Sequence, residues 1–181
     1  MMSIKKYFNN NVIVFKENFI NDNRGTFGEI YNKKKLFKIN IKKKFIQDNY
    51  SFSKNIYTLR GLHFQKPPFS QSKLIWVKSG KIYDVVVNIN PKSKFYGTYK
   101  SFILSSKNNN FIYIDSDFAH GFLTLSNSTE IIYKVDNNYS PKHEMTINWN
   151  DNNLNIKWPL KNNQPILSKK DKLGINFSKI L

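Results

Sequence analysis

The stretch at residues 60–65, RGLHFQ, places a cation, a glycine, a histidine and an amide within six residues. Because side chains alternate along a strand, the apolar residues on either side of His63 would face away from it. Arg60 and His63 then fall on opposite faces of a regular strand. If both serve one site, Gly61 must allow a bulge there, or the strand must begin at that point.

Three histidines are present: His63, His120 and His143. His63 and His120 lie in apolar, strand-like segments, whereas His143 follows a proline and a lysine in a turn and is expected at the surface. One histidine with apolar neighbours is more often structural, and two in one small barrel favour a site modestly. No His-x-His pair occurs, so the imidazole spacing typical of a barrel metal site is missing. A metal-dependent barrel is the weakest interpretation.

General acid–base chemistry suits these residues better. It needs a base, an acid on the other side of the substrate, and a cation for the developing negative charge. The candidates are His63 as base, Tyr133 as acid and either Lys73 or Arg60 as cation. Asp84 or Asp171 could hold His63 in one tautomer, and the spacing leaves both open. Each of these residues also has an ordinary structural interpretation, such as a strand aromatic or a helix N-terminal charge.

Composition limits the class of protein. The 181 residues fit one domain, 1–181, and the 40% hydrophobic and 15% aromatic content predicts a packed core. There is no cysteine, which excludes disulfides and thiolate–metal sites. No apolar run approaches the roughly 20 residues of a membrane span, and the N-terminus lacks the apolar core of a signal peptide. We therefore expect a cytoplasmic protein without a membrane partner.

The formal charge of +17 leaves an anionic partner open. A basic chain with many aromatic residues could be a non-catalytic barrel that binds nucleotides or nucleic acid. The lysines are spread along the chain, however, with only short runs such as 33–35 and 42–44. General lysine enrichment is therefore the favoured explanation.

Short strand-like runs separated by turn residues dominate the chain and predict an antiparallel sandwich or barrel. They cover residues 11–20, 26–31, 45–52, 57–65, 73–79, 81–89, 96–105, 111–115, 120–125, 129–136 and 143–149. Residues 32–39 predict a short helical turn, and a C-terminal helix is expected to start near Ser168. Residues 157–160 read as a short extended piece, and residues 78–81 read as a hairpin turn.

Several segments carry recognisable motifs in a fixed order. They are DNRGTFGE at 22–29, FIQDNYSFS at 45–53, LRGLHFQ at 59–65, QSKL at 71–74, GKIYDVVV at 80–87, FAHGF at 118–122, YK at 133–134, YSP at 139–141, WND at 149–151, IKWP at 156–159 and ILSKKD at 166–171. Together the series resembles the dTDP-4-dehydrorhamnose 3,5-epimerases. Two pieces depart from the family pattern: residues 115–117 replace its usual Pro and Gly, and Asp151-Asn152 replaces its Asp-Pro.

The resemblance implies an all-β fold, a cupin-type jelly-roll barrel with short flanking helices. It implies a homodimer that exchanges its N-terminal strand region, with neither metal nor organic cofactor. The implied reaction inverts carbons 3 and 5 of dTDP-4-keto-6-deoxyglucose, since the ketone at carbon 4 lets each proton leave as an enolate forms. A single-carbon epimerase acting on a related nucleotide-diphosphate 4-keto sugar is the close alternative, because it shares much of the motif set.

The resemblance also assigns roles to residues. His63 matches the base, Asp171 its paired carboxylate, Tyr133 the acid and Lys73 the group that stabilises the enolate oxygen. Arg60 and His120 match positions near the diphosphate or sugar. Six further residues match the positions that surround the nucleotide in the family, some of them supplied by the partner subunit: Arg24, Phe27, Glu29, Gln47, Asn49 and Tyr139. Phe27 or Tyr139 could stack on the thymine ring.

Overall fold

The computed structural model describes residues 3–180 of the chain. Within this range there are thirteen strands, two short α-helices and one 3-10 helix. The strands are β1 Ile4–Tyr7, β2 Val12–Lys16, β3 Ile20–Asp22, β4 Gly25–Phe27, β5 Gln47–Ser53, β6 Leu59–Gln65, β7 Lys73–Ser79, β8 Lys81–Asn88, β9 Tyr99–Ser105, β10 Asn110–Ile114, β11 Phe118–Thr124, β12 Thr129–Val135 and β13 Glu144–Thr146. The helices are α1 Lys33–Lys38, α2 Lys169–Lys172 and the 3-10 turn Phe177–Lys179.

Two antiparallel sheets face each other. The six-stranded sheet has the order β1-β2-β10-β7-β12-β5, and the five-stranded sheet has the order β13-β6-β11-β8-β9. Strands β3 and β4 form a separate hairpin. This arrangement confirms the predicted all-β jelly-roll barrel with short flanking helices.

The alternation along β8 shows how the layers form. Ile82 and Val86 point into the core between the sheets, where they pack with residues of β7, β10 and β12. Val85 and Val87 point to the outer face, which is covered by the C-terminal segment through residues such as Leu154 and Phe177. The five-stranded sheet is therefore apolar on both faces, and this rigid layer carries half of the site described below.

The hairpin predicted at residues 78–81 is wrong. Strand β7 lies in the six-stranded sheet and β8 in the five-stranded sheet, so the two are not hydrogen-bonded neighbours. Gly80 turns the chain from one sheet to the other with φ of +83°, and a Cβ there would lie 2.6 Å from both Ser126 Oγ and Thr129 Oγ1. Val77 of β7 packs instead with Ile82 and Val86 of β8 in the core between the sheets.

The remaining predictions differ mainly at the edges. The run at 11–20 divides into β2 and β3, β1 was not predicted, and residues 157–160 pair with no strand. Both helices start where expected: Asn32 accepts hydrogen bonds from Lys34 N and Lys35 N, and Ser168 caps α2. Within residues 3–180, no helix is long and apolar enough to cross a membrane.

Candidate active site

A cavity of about 420 Å³ opens between the two sheets. Seven of the twelve residues predicted for the site line it: Arg60, His63, Lys73, His120, Tyr133, Tyr139 and Asp171. They come from both walls. Strands β6, β11 and β13 supply one wall, and β7 and β12 supply the wall opposite. Any ligand in the cavity therefore lies between two different sets of chemical groups.

A bulge at Gly61, one of the two possibilities that the sequence left open, brings Arg60 and His63 to the same cavity. Strand β6 pairs with β11 through His63 with His120 and through Arg60 with Phe122. Three residue steps on β6 thus match two on β11, which is the definition of a bulge. Gly61 has φ of +116°, a conformation that favours glycine.

Close packing also requires glycine at this bulge. A Cβ on Gly61 would lie 2.6 Å from Gly121 Cα and 2.7 Å from the His120 carbonyl oxygen. A Cβ on Gly121 would in turn lie 2.9 Å from the Arg60 carbonyl oxygen. The two glycines let the backbones of β6 and β11 approach each other directly beneath His63 and His120.

His63 is paired with Asp171, so the choice left open between Asp84 and Asp171 is resolved. His63 Nε2 lies 2.7 Å from Asp171 Oδ1, which also accepts a hydrogen bond from Gly61 N at 3.1 Å. Ser168 Oγ donates to the other oxygen, Oδ2, at 2.6 Å. Burial alone would raise the pKa of Asp171, but the hydrogen bonds from His63, Ser168 and Gly61 outweigh it and lower the pKa to about 2.

Asp84 pairs instead with the second histidine of the cavity. Asp84 Oδ2 lies 2.7 Å from His120 Nε2, and the carboxylate is fully buried. Its Oδ1 has no hydrogen-bond partner among the described residues. Two His–Asp pairs therefore stand side by side on β6 and β11. In residues 3–180, no three His, Cys, Asp or Glu side chains cluster in a way that could hold a metal ion.

Lys73 and Tyr133 lie on the opposite wall. In the register of β7 with β12, Lys73 faces Val135 and Tyr133 faces Ile75, so both side chains point to the cavity. Burial lowers the pKa of Lys73 to about 8, although the charges of Asp136, Glu144 and Asp84 oppose the shift. Burial also raises the pKa of Tyr133, which keeps its hydroxyl protonated at neutral pH. The wall thus presents a cation and a proton donor.

Two charged residues of the cavity were not predicted, Glu144 and Lys170. Glu144 Oε1 lies 2.5 Å from Lys170 Nζ, and Glu144 Oε2 accepts a hydrogen bond from Tyr139 Oη at 2.8 Å. Burial raises the pKa of Glu144, and the contacts with Lys170 and Tyr139 reverse the shift, so the pKa lies below its ordinary value. Lys170 lies beside Asp171 in a quoted motif, whereas Glu144 had no signal of its own in the sequence.

Arg60 is held at the edge of the cavity. Its Nε donates to Ser53 Oγ at 3.2 Å, and its Nη2 donates to the Phe52 carbonyl oxygen at 3.0 Å. Both partners lie on β5, so Arg60 links the five-stranded sheet to the edge of the six-stranded one. The guanidinium is thereby fixed where it can meet an anionic group of a ligand.

The other five predicted residues do not line the cavity of their own chain: Arg24, Phe27, Glu29, Gln47 and Asn49. Arg24 and Phe27 belong to the β3–β4 hairpin, where Arg24 pairs with Asp22 and Phe27 is 72% exposed. Glu29 pairs with Lys35. The unusual residues 115–117 also lie outside the cavity, so this departure from the family pattern adds no side chain to the cavity walls.

Comparison with known sequences decides the family. A sequence model described as dTDP-4-dehydrorhamnose 3,5-epimerase matches residues 9–179. The chain belongs to this family. It is 40% identical to the dTDP-4-dehydrorhamnose 3,5-epimerase of Shigella flexneri over 167 residues, 92% of this chain and 91% of the relative. It is 40% identical to that of Salmonella typhimurium over 172 residues, 94% of this chain and 93% of the relative. The chain is therefore an isomerase of the epimerase type.

Solved structures of epimerases superpose closely on this chain and agree with the family found from the sequence. The epimerase from Bacillus anthracis, solved with TDP and PPi bound, superposes with a TM-score of 0.92 at 40% identity and covers 97% of this chain and 99% of its own. The epimerase from Legionella pneumophila, solved in complex with dTDP-4-keto-L-rhamnose, superposes with a TM-score of 0.93 at 34% identity and covers 100% of this chain and 95% of its own. The arrangement of the strands is thus that of these solved dTDP-sugar epimerases.

Proposed function

We propose that the epimerase inverts carbons 3 and 5 of dTDP-4-keto-6-deoxyglucose by removing and returning protons through an enolate. One observation carries this proposal: the His63–Asp171 pair and Tyr133 project from opposite sheets into one cavity. Inversion requires that a proton leave from one face of a carbon and arrive at the other. A base and an acid on opposite walls meet that requirement.

His63 is the base in this mechanism. Asp171 is ionised at neutral pH because its pKa is about 2, and it accepts a hydrogen bond from the Nε2–H of His63. That hydrogen bond fixes the tautomer and leaves the Nδ1 lone pair to take a proton from the substrate. The electron pair of the broken C–H bond passes to the carbon 4 carbonyl and forms an enolate.

Lys73 stabilises the enolate oxygen. With a pKa of about 8, its ammonium group is mostly protonated at neutral pH, and it lies in a partly desolvated wall where a charge acts strongly. Tyr133 then donates its phenolic proton to the opposite face of the same carbon, and the enolate returns to the ketone. Proton exchange with solvent restores His63 and Tyr133, so the same pair serves carbons 3 and 5 in turn.

The hydrogen-bond donors and the aromatic ring of the cavity suit a nucleotide diphosphate. Arg60, His120 and Lys170 line it, and the exposed ring of Tyr139 lies at its edge. An aromatic ring binds a base by stacking, and arginine binds phosphate oxygens through paired hydrogen bonds. The TDP and dTDP-sugar bound by the relatives from B. anthracis and L. pneumophila support the same assignment.

The proposal includes a homodimer in which the β3–β4 hairpin reaches the partner's cavity. Ile20 is 68% exposed and Phe27 72% exposed, and a two-stranded hairpin with such a surface is not stable alone. Arg24, Phe27 and Glu29 would complete the nucleotide site of the other subunit. Gln47 and Asn49, at the start of the edge strand β5, would do the same.

Subunit complementation tests this exchange. Arg24→Ala and His63→Ala are each expected to be nearly inactive, and mixing the two proteins should restore about a quarter of the parental activity, because half of the dimers are mixed and each has one intact site. Light scattering gives the mass of the species. No recovery after verified subunit exchange would show that Arg24 serves its own chain.

Isotope exchange tests the chemistry. In heavy water, the parent should place deuterium at carbons 3 and 5 of the substrate, as read by NMR. His63→Ala should abolish uptake at both carbons, whereas Tyr133→Phe should lower full inversion more than the first proton abstraction. Uptake by His63→Ala at the parental rate would refute the base assignment. Uptake by the parent at one carbon only would make it a single-carbon epimerase.

The +17 charge requires its own control, because a nucleic-acid-binding barrel is the alternative. TDP should bind, and an oligonucleotide should show no tight, strongly salt-dependent binding at two salt concentrations. Tight, strongly salt-dependent binding of the oligonucleotide without binding of TDP would refute the epimerase proposal in favour of the nucleic-acid-binding barrel. A cytoplasmic location belongs to the same proposal and is checked by cell fractionation.

A further inference from the structure

Gln65, the amide at the end of the RGLHFQ stretch, is the polar residue of that stretch whose side chain the mechanism does not use. It is only 5% exposed, although it lines the cavity. Its Nε2 donates to the Phe69 carbonyl at 2.6 Å and to the Asn138 carbonyl at 3.1 Å, and its Oε1 accepts from Ser140 N at 2.7 Å. A swapped amide would set Nε2 against an N–H and Oε1 against two carbonyls, so one orientation alone satisfies all three contacts.

Two of these contacts flank Tyr139. The Asn138 carbonyl precedes this residue and the Ser140 N–H follows it, so one buried amide forms hydrogen bonds with the backbone on both sides of the tyrosine. The far end of the same side chain is held too, because Tyr139 Oη donates to Glu144 Oε2 at 2.8 Å. Gln65 and Glu144 are direct cross-strand partners on β6 and β13. A ring that is 55% exposed on a loop is thus fixed at backbone and hydroxyl by one strand pair.

We propose that Gln65 is a positioning residue that holds the Tyr139 loop in place before the ligand binds, so that the nucleotide base stacks on a ring that is already ordered. The proposal rests on the proposed function, in which Tyr139 stacks on the base.

The geometry of β6 supports the proposal. His63 and Gln65 are two residues apart on one strand, a separation of about 7 Å along the chain. The same strand therefore carries the base directly and the stacking ring indirectly, through the amide. Without the amide, the loop would have to lose its freedom when the ligand binds, which lowers affinity. The effect should fall on binding, because the His63–Asp171, Lys73 and Tyr133 contacts do not involve Gln65.

Gln65→Met tests the inference, since it keeps the length of the side chain and removes the amide. We expect the Kd for TDP, measured by calorimetry, to rise roughly fivefold to tenfold. KM for the nucleotide sugar should rise similarly, while kcat stays within about twofold of the parent. Gln65→Glu keeps the acceptor for Ser140 N–H and loses both donors. It should likewise raise Kd and KM while kcat stays nearly unchanged. Gln65→Glu replaces Gln65→Met in the test if circular dichroism shows that Gln65→Met does not fold.

Asn137→Ala is the matched control. Asn137 Nδ2 donates to the carbonyls of Pro68 and Ser70 and so links the same two loops, and its Oδ1 accepts from Asn138 N, but it does not line the cavity or flank Tyr139. Its Kd for TDP should stay within about twofold of the parent. An equal loss in Asn137→Ala would mean that general loop fastening matters, and it would overturn the specific role of Gln65.

A double-mutant cycle with Tyr139→Ala separates the possible failures. Tyr139→Ala should weaken TDP binding by about tenfold or more, the usual contribution of base stacking, and adding Gln65→Met should cause little further loss. Additive losses would show that Gln65 contacts the ligand itself and would overturn the inference. A loss in Tyr139→Ala with none in Gln65→Met would also overturn it and leave the proposed function intact. TDP binding by Tyr139→Ala equal to that of the parent would refute the stacking role in the proposed function.

Discussion

Asp171 Oδ1 lies 2.7 Å from His63 Nε2, although 108 residues separate the two in the chain. The carboxylate reaches the histidine because α2, capped by Ser168, packs against β6 and turns Asp171 inward. Its remaining hydrogen-bonding capacity is taken by Ser168 and by the backbone of the Gly61 bulge. The base of the proposed mechanism is therefore oriented by two elements that lie far apart in the sequence, β6 and α2.

Asp171→Asn should lower the rate of deuterium exchange by about 10³-fold or more, because an amide can donate to His63 and stabilise the wrong tautomer. It should also reduce the free energy of unfolding at pH 7 by about 2 kcal/mol. The folded-state pKa of about 2 lies below the unfolded value, so this stabilisation is present above about pH 4 and is lost as pH falls through 2. Exchange kinetics and urea denaturation at several pH values check both effects. Ser168→Ala, which removes one contact to the carboxylate, should cost far less activity, and a parental rate for Asp171→Asn would contradict the dyad.

The rate profile should show the titration of Lys73. Its pKa of about 8 predicts that kcat/KM declines above pH 8, because the neutral amine no longer stabilises the enolate oxygen. Lys73→Arg keeps a cation throughout this range, so whatever activity the variant retains should not decline near pH 8. Steady-state kinetics from pH 6 to 10 measure this difference. If kcat/KM declined above pH 8 to the same extent in both proteins, the decline would belong to a group other than Lys73.

Lys73→Met should stabilise the fold while removing activity. Burial lowers the pKa of Lys73 below its ordinary value of about 10.4, so the charged form costs stability at every pH below 8. Between pH 8 and 10.4 the unfolded chain binds more protons than the folded one, and the parent's stability rises with pH. The advantage of the variant should thus be on the order of 1–3 kcal/mol at pH 7 and should shrink above pH 8. Urea denaturation at pH 7 and 9.5 tests this, and an advantage that grows with pH would contradict it.

Gly61→Ala should destabilise the protein strongly, by about 3 kcal/mol or more, because it adds a steric clash to backbone strain. The new Cβ would lie 2.6 Å from Gly121 Cα, and the backbone cannot move away without displacing His63. Gly25→Ala is the matched control: its φ is +130°, but no atom of residues 3–180 of its own chain lies within 4 Å of an added Cβ. It should cost only the conformational strain, about 1–2 kcal/mol. Equal losses in denaturant melts would show that the contact with Gly121 is unimportant.

The sequence predicted the strands well because each one alternates between two environments. The bounds of β7 were predicted to the residue, and those of β6, β8, β11 and β12 within two residues. A bulge at Gly61 was one of the two ways in which the sequence allowed Arg60 and His63 to share a site, the other being a strand that begins there, and the register of β6 with β11 shows the bulge. Such local patterns depend on side-chain period and turn chemistry, which one chain contains in full.

Pairings over long distances required the tertiary structure. The spacing could not choose between Asp84 and Asp171 for His63, because each is a carboxylate that could reach it, and the fold gives Asp84 to His120 instead. The hairpin expected at residues 78–81 failed for the same reason: a turn signal does not say whether the next strand joins the same sheet. Glu144 had no local signal, and it enters the cavity only because β13 pairs with β6.

The RGLHFQ stretch separates the properties that follow from the sequence alone from those that depend on the tertiary structure. The sequence by itself determined the alternation, the glycine and the presence of a histidine and an amide two residues apart, since all of these are properties of one short segment. Only the tertiary structure decided what those groups contact: Asp171 for His63, the backbone around Tyr139 for Gln65, and β5 for Arg60. The physical reason is that hydrogen bonds between remote segments depend on how two sheets stack and register, and those energies arise only once the chain has folded.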